Sequence, residues 1–224
     1  MLVFLLCRFF YIEVYYFNTQ IFSVKLILLY FYIFFLTPQT KSFAEDLYFI
    51  NKNFIKIGAT LNYHELGTKK QSLFLKDFKF LTPANAAKQS RVHPRPGVWQ
   101  WERIDKFLKF AKINDLMVRI HGPVSPQASK WAKEDHRTAT ELENVMVNFM
   151  TQSAKRYNDE SNVKYMDVVN ETILPNGQWF GPKKGTHLWE NPWLKMGLDE
   201  NGFPNYIIKA FEIATANAPN VKLV

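Results

Sequence analysis

The sequence predicts an α/β protein in which helices cover a parallel sheet. From Phe54 onward, strand-like runs alternate with helical ones, and this alternation is typical of a parallel sheet. The run from Val163 to Val169 is rich in β-branched and aromatic residues and has little room for a polar face, as expected of a buried strand. Asn170 and Glu171 follow it directly. In a barrel of alternating strands and helices, catalytic side chains gather at this end of the strands.

The composition indicates one globular domain. Of the 224 residues, 47% are hydrophobic and 16% aromatic, so the chain can bury one sizeable core and is not a disordered protein. The formal charge is +8, but the cations are scattered along the chain rather than clustered with aromatic residues on one element. We therefore predict a solvated surface and no nucleic-acid partner. The single cysteine, Cys7, lies in the first stretch of chain, so the domain itself has no disulfide.

Residues 1–44 are predicted to be a secretion signal or leader, and residues 45–224 the domain. The apolar run from Leu26 to Leu36 precedes Ser42-Phe43-Ala44, which has the small-x-small pattern of a signal-peptidase site. A second apolar stretch lies upstream and makes the leader unusually long, which a start codon assigned too early would explain. We expect a secreted, periplasmic or cell-surface protein with no stable membrane insertion after cleavage.

A membrane anchor through residues 21–36 is the alternative interpretation. Lys25 interrupts this stretch, and the eleven residues from Leu26 to Leu36 fall short of the ~20 that span a bilayer. A cleaved signal is therefore the favoured prediction.

The first half of the domain contains two predicted strands and one helix. The strands run from Phe54 to Leu61 and from Phe78 to Leu81, with a loop containing His64 and Glu65 between them. A helix follows Gly97, and its apolar residues recur at spacings of three and four, as in a helix that packs on a sheet: Trp101, Ile104, Leu108 and Ala111.

The second half continues the alternation. The third and fourth strands are Leu116 to Ile120 and Val163 to Val169, and the helix between them opens with a capping-box pattern at Thr138. Its apolar face comprises Leu142, Val145, Met146, Phe149 and Met150. A loop of roughly thirty residues follows Glu171, longer than most connections. The last helix has an apolar side and ends before a proline, and a fifth strand follows; the residues are Ile207, Ala210, Phe211, Ala214, Pro219 and the range Val221 to Val224.

The length suggests that the chain is the first part of a larger barrel. An eight-stranded (β/α)8 barrel takes about 250 residues. After the leader, 180 residues are used to reach the fifth strand. We therefore expect roughly the first four and a half β/α units of a (β/α)8 TIM barrel, truncated in strand five.

Four histidines show no metal-ligand spacing and are predicted to be surface groups: His64, His93, His136 and His187. We accordingly predict no metal and no cofactor. Asp167 lies inside the fourth strand, so we expect it to pair with a neighbouring cation. Asn170 and Glu171 are adjacent on a strand, where side chains alternate between faces, so they share one site only if the strand bends as it ends.

Several motifs in order carry a family resemblance, which covers nearly all of the domain. They are Thr82-Pro83-x-Asn85-x-x-Lys88, Gly97 through Asp105, Val118-Arg119-x-His121, Gln127 to Trp131, and Asp167-Val168-Val169-Asn170-Glu171. With these motifs the chain resembles glycoside hydrolase family 10, the endo-1,4-β-xylanases. The resemblance implies a (β/α)8 barrel that cleaves β-1,4-xylan with retention of configuration, which needs two carboxyl groups about 5 Å apart.

The resemblance also implies roles for individual residues. Glu171 is expected to be the acid/base, and Asn170 to hydrogen-bond the sugar 2-hydroxyl. Asn85, Lys88 and His121 match positions that bind sugar hydroxyls on the non-reducing side of the cut. The family's nucleophile is a Glu at the end of strand seven, which this chain does not contain, so we expect the 224-residue chain to be inactive by itself.

Taken alone, each of these residues has a simpler explanation. The Asn-Glu pair is also what a polar turn after a strand looks like, Asn85 and Lys88 could simply open a helix, and a histidine at a strand end is often structural. The order of the motifs favours the sugar-binding interpretation. We expect a xylan-like polysaccharide as partner and a monomer when the protein is full length.

Three departures from the family pattern put the preference for xylan in doubt. Ala84 replaces a Glu, Met166 replaces a Trp, and the segment 122–126 reads Gly-Pro-Val-Ser-Pro where the family has Thr-Leu-Val-Trp-His. An inactive glycan-binding protein, a mannanase and a cellulase therefore remain alternatives. Four aromatic residues of the long loop are predicted equally to stack on sugars or to pack locally: Trp179, Phe180, Trp189 and Trp193.

Overall fold

Five parallel strands form one sheet in a computed structural model that describes residues 57–185 and 189–224. The strands are hydrogen-bonded in chain order. They are β1 (Ala59–Leu61), β2 (Phe80–Pro83), β3 (Met117–Val124), β4 (Val163–Val169) and β5 (Lys222–Leu223). A sheet that winds in one direction, without a switch in strand order, is the arrangement of a (β/α) barrel rather than of a doubly wound sheet. The predicted leader, residues 1–44, lies outside the described residues.

Helices connect the strands. In the described ranges they are α1 (Lys69–Asp77), α2 (Gln89–Val92), α3 (Glu102–Ile113), α4 (Ala139–Asn158) and α5 (Asn205–Asn217). Single 3₁₀ turns occur at Tyr63–Glu65, Lys130–Lys133 and Pro192–Met196. None of the helices in this part of the chain combines the length and the apolar content that a membrane span requires.

The sequence signals that predicted the start of α4, the end of α5 and the apolar stripes of three helices have the expected structure. Thr138 caps α4 by accepting a hydrogen bond from the Glu141 backbone, while the Glu141 carboxylate accepts one from the Thr138 backbone at 2.8 Å. This reciprocal pair satisfies two amides that a helix start leaves unpaired. The helix α5 ends at Asn217, two residues before Pro219. In both helices and in α3, the apolar stripes face the core, although Val145 and Phe211 are only half-buried.

Helix α1 was not predicted from the sequence. Its residues are mostly lysine, glutamine and serine, and Phe74 is its only buried side chain, so no apolar stripe marks it. The Thr68 hydroxyl caps it by accepting from the Lys70 backbone at 3.2 Å. The first strand is also shorter than predicted, since Ile57 and Gly58 are not in a strand and the residues before 57 lie outside the described part.

The second, third and fifth strands are displaced from their predicted bounds. Strand β2 begins at Phe80 and includes Pro83, and β5 spans only two residues. Strand β3 continues past the predicted end at Ile120, through Gly122 and Pro123, to Val124. Glycine followed by proline usually ends a strand, but here the pairing to β4 shifts between His121 and Val124 and then resumes.

The core lies between the sheet and the helices. In β4, Met166, Asp167 and Val168 are all buried, so both faces of this strand are covered, as its sequence predicted. On β3, Val118, Ile120 and Val124 are fully buried. This packing holds β3 and β4 rigidly and thereby fixes the side chains at their carboxyl ends.

Candidate active site

A polar cleft of about 480 Å³ lies at the carboxyl ends of the first four strands. All five residues that the sequence singled out line it: Asn85, Lys88, His121, Asn170 and Glu171. Six further residues complete the lining, and none of them was predicted as a site residue: Thr60, Thr82, Ala84, Arg119, Gln127 and Asp167. Because parallel strands end at one edge of the sheet, residues up to about a hundred positions apart meet here.

The backbone turns at Glu171 and brings two neighbouring side chains into one cleft. Glu171 has a φ of 55°, in the left-handed region that only a few per cent of non-glycine residues adopt. Asn170 is still tied to β3, since its amide donates to the Val124 carbonyl at 3.0 Å. The abrupt change of direction after Asn170 overrides the alternation of a strand, so both side chains line the cleft, as the sequence analysis required.

The Glu171 side chain is exposed at the cleft surface. Within the described residues its carboxylate makes no hydrogen bond and no ion pair, although the charge of Lys88 acts on it through space. A carboxyl group without a fixed partner, at the mouth of a cleft, is free to exchange a proton with a bound molecule.

Lys88 is the buried cation of the site. Its side chain is 0% exposed, and its ammonium has no hydrogen-bond partner among the described residues. Burial lowers the pKa of Lys88 to about 8, while the negative charges of Glu171 and Asp167 oppose that change. A buried donor without a partner is costly, so the geometry favours a ligand that supplies an acceptor oxygen.

Gly122 makes room for this arrangement. It has a φ of 47°, and a Cβ at this position would collide with the Asn170 side chain and lie 2.9 Å from the Lys88 ammonium. Only glycine leaves both side chains where they are. The departure from the family pattern at position 122 is therefore coupled to the placement of Lys88 and Asn170.

Asp167 holds two cationic or polar groups of β3 from its position in β4. Its Oδ1 accepts hydrogen bonds from Arg119 Nε at 2.8 Å and Nη2 at 2.5 Å, and its Oδ2 lies 3.0 Å from His121 Nδ1. Burial by itself raises the pKa of Asp167, but the hydrogen bonds from His121 and Arg119 outweigh it and hold the pKa below its ordinary value. The ion pair predicted for Asp167 is present with Arg119, and the separate contact of Oδ2 with Nδ1 orients the His121 ring in the cleft.

A hydrogen-bond network positions the segment that carries Gln127. The Ser129 amide donates to the Gln89 side chain at 2.5 Å, and the Ser129 hydroxyl donates to the His93 carbonyl at 2.7 Å. These bonds attach the segment to α2, next to Lys88. Gln127 belongs to a motif that carried the resemblance, and its amide could have been added to the site on that basis.

The prediction that His93 is a surface group was wrong. Its side chain is 3% exposed, stacks on Trp99 with ring centroids 4.2 Å apart, and meets Trp131 edge-on at 5.3 Å. Both ring nitrogens lack partners in the described residues, and burial lowers the pKa of His93. The prediction was based only on the lack of a metal-ligand spacing, which does not indicate whether a histidine is buried. His64 and His136 are exposed, and His187 lies outside the described residues.

Two of the loop aromatics pack locally rather than toward the cleft. Trp193 is fully buried and donates from Nε1 to the Ser125 carbonyl at 3.0 Å, and Phe180 is 4% exposed. Trp179 donates to the Gly202 carbonyl at 2.9 Å, whereas Trp189 is 49% exposed. None of the four lines the cleft as the described residues define it.

No group of three or more histidine, cysteine, aspartate or glutamate side chains suited to a metal ion occurs in residues 57–185 and 189–224. The polar groups that line the cleft are amides, hydroxyls, an imidazole, an ammonium, a guanidinium and carboxyl groups.

The fold and the cleft define a (β/α) barrel protein with a polar site at the carboxyl ends of its strands. Comparison with known proteins gives the family. Residues 47–224 match the sequence profile described as Glycosyl hydrolase family 10, and the chain belongs to that family. This confirms the family resemblance found in the sequence.

Relatives and solved structures agree with this assignment. Endo-1,4-beta-xylanase A of Caldicellulosiruptor saccharolyticus is 30% identical over 177 residues, which are 77% of this chain and 48% of that protein. Native xylanase 10B from Thermotoga maritima has a TM-score of 0.65 at 26% identity, covering 82% of this chain and 52% of that one. A GH10 endoxylanase from a sugarcane soil metagenome has a TM-score of 0.64 at 26% identity, covering 79% and 49%.

The chain thus spans about half the length of the xylanases that it matches. The structural likeness confirms the predicted fold class, since the five parallel strands and their helices correspond to part of a (β/α)8 barrel.

Proposed function

We propose that this chain supplies the acid/base carboxyl and part of the sugar-binding surface of a retaining endo-1,4-β-glycosidase acting on a xylan-type polysaccharide. The observation that carries the proposal is the meeting of Glu171 with Asn85, Lys88, His121 and Asn170 around one cleft. Membership of the family and the similarity to endo-1,4-beta-xylanases support it.

In the proposed mechanism, Glu171 acts first as a general acid and then as a general base. It first protonates the departing glycosidic oxygen and then, as a carboxylate, removes a proton from the water that releases the sugar. The exposed position of Glu171 allows both steps, because water and sugar can reach it. We propose that Asn170, immediately before it, donates a hydrogen bond to a sugar 2-hydroxyl, as the family resemblance implies.

The buried Lys88 and the oriented His121 are proposed to hold sugar hydroxyls, together with Asn85. The Lys88 ammonium lacks a partner in the described residues, and an incoming hydroxyl oxygen would satisfy it. If His121 Nδ1 carries the proton that binds Asp167, Nε2 is the acceptor for a hydroxyl hydrogen. Asn85 is exposed at the cleft wall and can both donate and accept.

Retention requires a second carboxyl group about 5 Å from the first. Besides Glu171, the only carboxyl group that lines the described cleft is Asp167, and both of its oxygens are bound by Arg119 and His121. Asp167 is therefore a poor nucleophile. We propose that the nucleophile is a glutamate on a later strand, as in the family, and that the 224-residue chain does not hydrolyse glycans by itself.

The first experiment tests the chain as it is. Isothermal titration with a neutral β-1,4-xylo-oligosaccharide should show binding to the wild-type chain, undiminished binding to Glu171→Gln, and binding at least fivefold weaker for Asn85→Ala, which removes one polar contact. Incubation of the wild-type chain with xylan should release no sugar. Sugar release would contradict the proposed location of the nucleophile, and absence of binding would contradict the proposed site.

A glycan-binding protein without hydrolysis is the second candidate. It is favoured by Ala84, which lines the cleft where the family usually has a Glu. The gene sequence that follows Val224 separates the two: a strand ending in Glu about a hundred residues on supports the enzyme, and another residue there supports the binder. The product of the whole gene, assayed on xylan, mannan and cellulose, then identifies the substrate.

We also propose export through residues 1–44 and a monomeric full-length protein. Amino-terminal sequencing of secreted material should give a mature end near Glu45. A mature end near Met1 would instead support the membrane anchor.

A further inference from the structure

A second, smaller pocket of about 130 Å³ adjoins the cleft, and neither the family assignment nor the proposed mechanism uses it. The turn after β1 forms one wall with Asn62, Tyr63 and His64. Arg91, in α2, and Arg103, in α3, form the other. These residues come from three separate segments, so only the folded chain brings them together. We call them the arginine pocket.

The two arginines have no anionic partner in the described part of the chain. Neither forms an ion pair, and no carboxyl group lines the pocket. Of the two acidic residues in the first turn of α3, Glu102 accepts a hydrogen bond from the Tyr63 hydroxyl at 3.4 Å and Asp105 pairs with Arg156. Glu65, in the same turn as Tyr63, is already occupied by Lys70 at 2.5 Å and by the Asn62 backbone at 2.8 Å.

Both arginines are exposed at the surface, and Arg103 contacts an aromatic ring of the pocket. Its guanidinium carbon lies 5.3 Å from the centre of the Tyr63 ring, a cation–π contact that limits the freedom of the side chain. A guanidinium held in place loses less entropy when it binds an anion, and its planar donors match a carboxylate or a sulfate in pairs. The arginine pocket therefore has the charge and the size to take one small anionic group.

Asn85 connects the arginine pocket to the cleft, since it lines both. In the proposed function, Asn85 binds a sugar on the non-reducing side of the cut. A sugar bound at Asn85 would therefore lie at the border of the arginine pocket.

We propose that the arginine pocket is a specificity subsite for an anionic substituent of the glycan, either a uronic acid carboxylate or a sulfate ester. This inference rests on the proposed function, because it places the main chain of the sugar in the adjoining cleft. It makes the protein selective for acidic glycans over neutral ones at a site separate from the reacting carboxyl group.

The test compares matched oligosaccharides by isothermal titration with the full 224-residue chain. The ligands are a neutral β-1,4-xylo-oligosaccharide, the same backbone with one uronic acid branch, and the same backbone with one sulfate ester. The proteins are the wild type, the double variant Arg91→Gln/Arg103→Gln, and Arg95→Gln as control. Arg95 is exposed and close in sequence but lines neither pocket.

We expect wild type and Arg95→Gln to bind one of the acidic ligands about tenfold more tightly than the neutral ligand, the effect of one or two charge-assisted hydrogen bonds near the surface. The double variant should bind all three ligands with the affinity of the neutral one. The preference should weaken as salt rises from 50 to 500 mM, because exposed charges are screened. The acidic ligand that is preferred identifies the substituent.

Two outcomes overturn the inference. The inference is rejected if wild type binds all three ligands with equal affinity, or if the preference for an acidic ligand survives in the double variant. In both cases, binding of the neutral ligand leaves the proposed function intact. If wild type binds an acidic ligand but not the neutral one, the result contradicts the proposed sugar-binding cleft and supports the arginine pocket. Circular dichroism of each variant confirms that it is folded.

Discussion

At the scale of single residues, Lys88 is the clearest case of a side chain that the fold places at a cost. Its ammonium is buried, and its pKa falls from the ordinary 10.5 to about 8. Burial in the folded state therefore disfavours the charged form of Lys88, whereas in the unfolded chain water solvates that charge. The difference corresponds to about 3 kcal/mol. A pKa shifted this far by burial is more typical of a side chain in a functional site than of a structural side chain.

The substitution Lys88→Met should stabilise the chain at pH 7 by up to about 3 kcal/mol, because it removes the buried charge. Between pH 8 and pH 10.5 the folded protein binds fewer protons at Lys88 than the unfolded chain does, so wild-type stability rises with pH across this window. Urea denaturation at pH 7, 9 and 10 should show the gap between variant and wild type closing.

The control is Lys109→Met, which replaces an exposed lysine of α3. Its stability relative to wild type should not change with pH. If the gap between Lys88→Met and wild type were the same at every pH, the pKa of Lys88 would not be lowered by burial.

At the scale of elements, the contact between β3 and β4 carries the site. Asp167 joins the two strands through side chains as well as through the backbone, since it binds Arg119 and His121. The Asp167 carboxylate is only 12% exposed, so its charge is stabilised mainly by these two groups. The same bonds orient His121, and one strand pair therefore supplies both rigidity and geometry.

The substitution Asp167→Asn should destabilise the chain by about 2 kcal/mol at pH 7, because a hydrogen-bonded charge is lost and Arg119 is left unpaired. The folded pKa of Asp167 is below its ordinary value of 3.8, so this stabilisation is complete above pH 3.8 and is lost as the pH falls through the folded pKa. Urea denaturation at pH 7, 5 and 3 should show the difference from wild type shrinking at pH 3.

Asp105→Asn is the matched control. Asp105 pairs with Arg156 at 2.5 Å, but the two side chains are 41% and 38% exposed. Such an exposed pair contributes less than about 1 kcal/mol. An equal loss in the two variants would show that Asp167 stabilises the sheet no more than a surface ion pair does.

At the scale of the whole molecule, the sheet has two edges. Within residues 57–185 and 189–224, β1 pairs only with β2 and β5 only with β4. In a closed barrel neither edge is free, whereas exposed edges of a sheet promote association between chains. The chain spans about half the length of its relatives, and in the described ranges the outer edges of β1 and β5 have no partner strand.

We expect the 224-residue chain to associate in a concentration-dependent way. Val224→Lys should reduce the association, because a charge beside β5 disfavours edge pairing, and Ile113→Lys should not. The two side chains are both exposed, at 51% and 72%, and Ile113 lies at the end of α3. Sedimentation velocity at 5–100 μM measures the effect, and all three proteins share residues 1–44. A monodisperse wild-type monomer would contradict the expectation.

Local patterns in the sequence predicted the five strands and three of the helices, whereas the family resemblance supplied the roles of the five candidate site residues. Apolar periodicity predicted α3, α4 and α5, and the buried run before Asn170 predicted β4. Helix α1 and the extension of β3 through Gly122 were missed. The first has almost no apolar stripe, and the second contradicts the usual effect of glycine and proline, so in both cases tertiary contacts override the local preference.

By itself, then, the sequence determined the fold class, the family and the position of Glu171 after a buried strand, because these depend on neighbours along the chain. Only the tertiary structure decided that Lys88 and His93 are buried, that Asp167 binds Arg119 and His121, and that Arg91 and Arg103 face one pocket. The physical reason is that burial and electrostatic environment are set by groups far apart in sequence. No local pattern records which of them will meet.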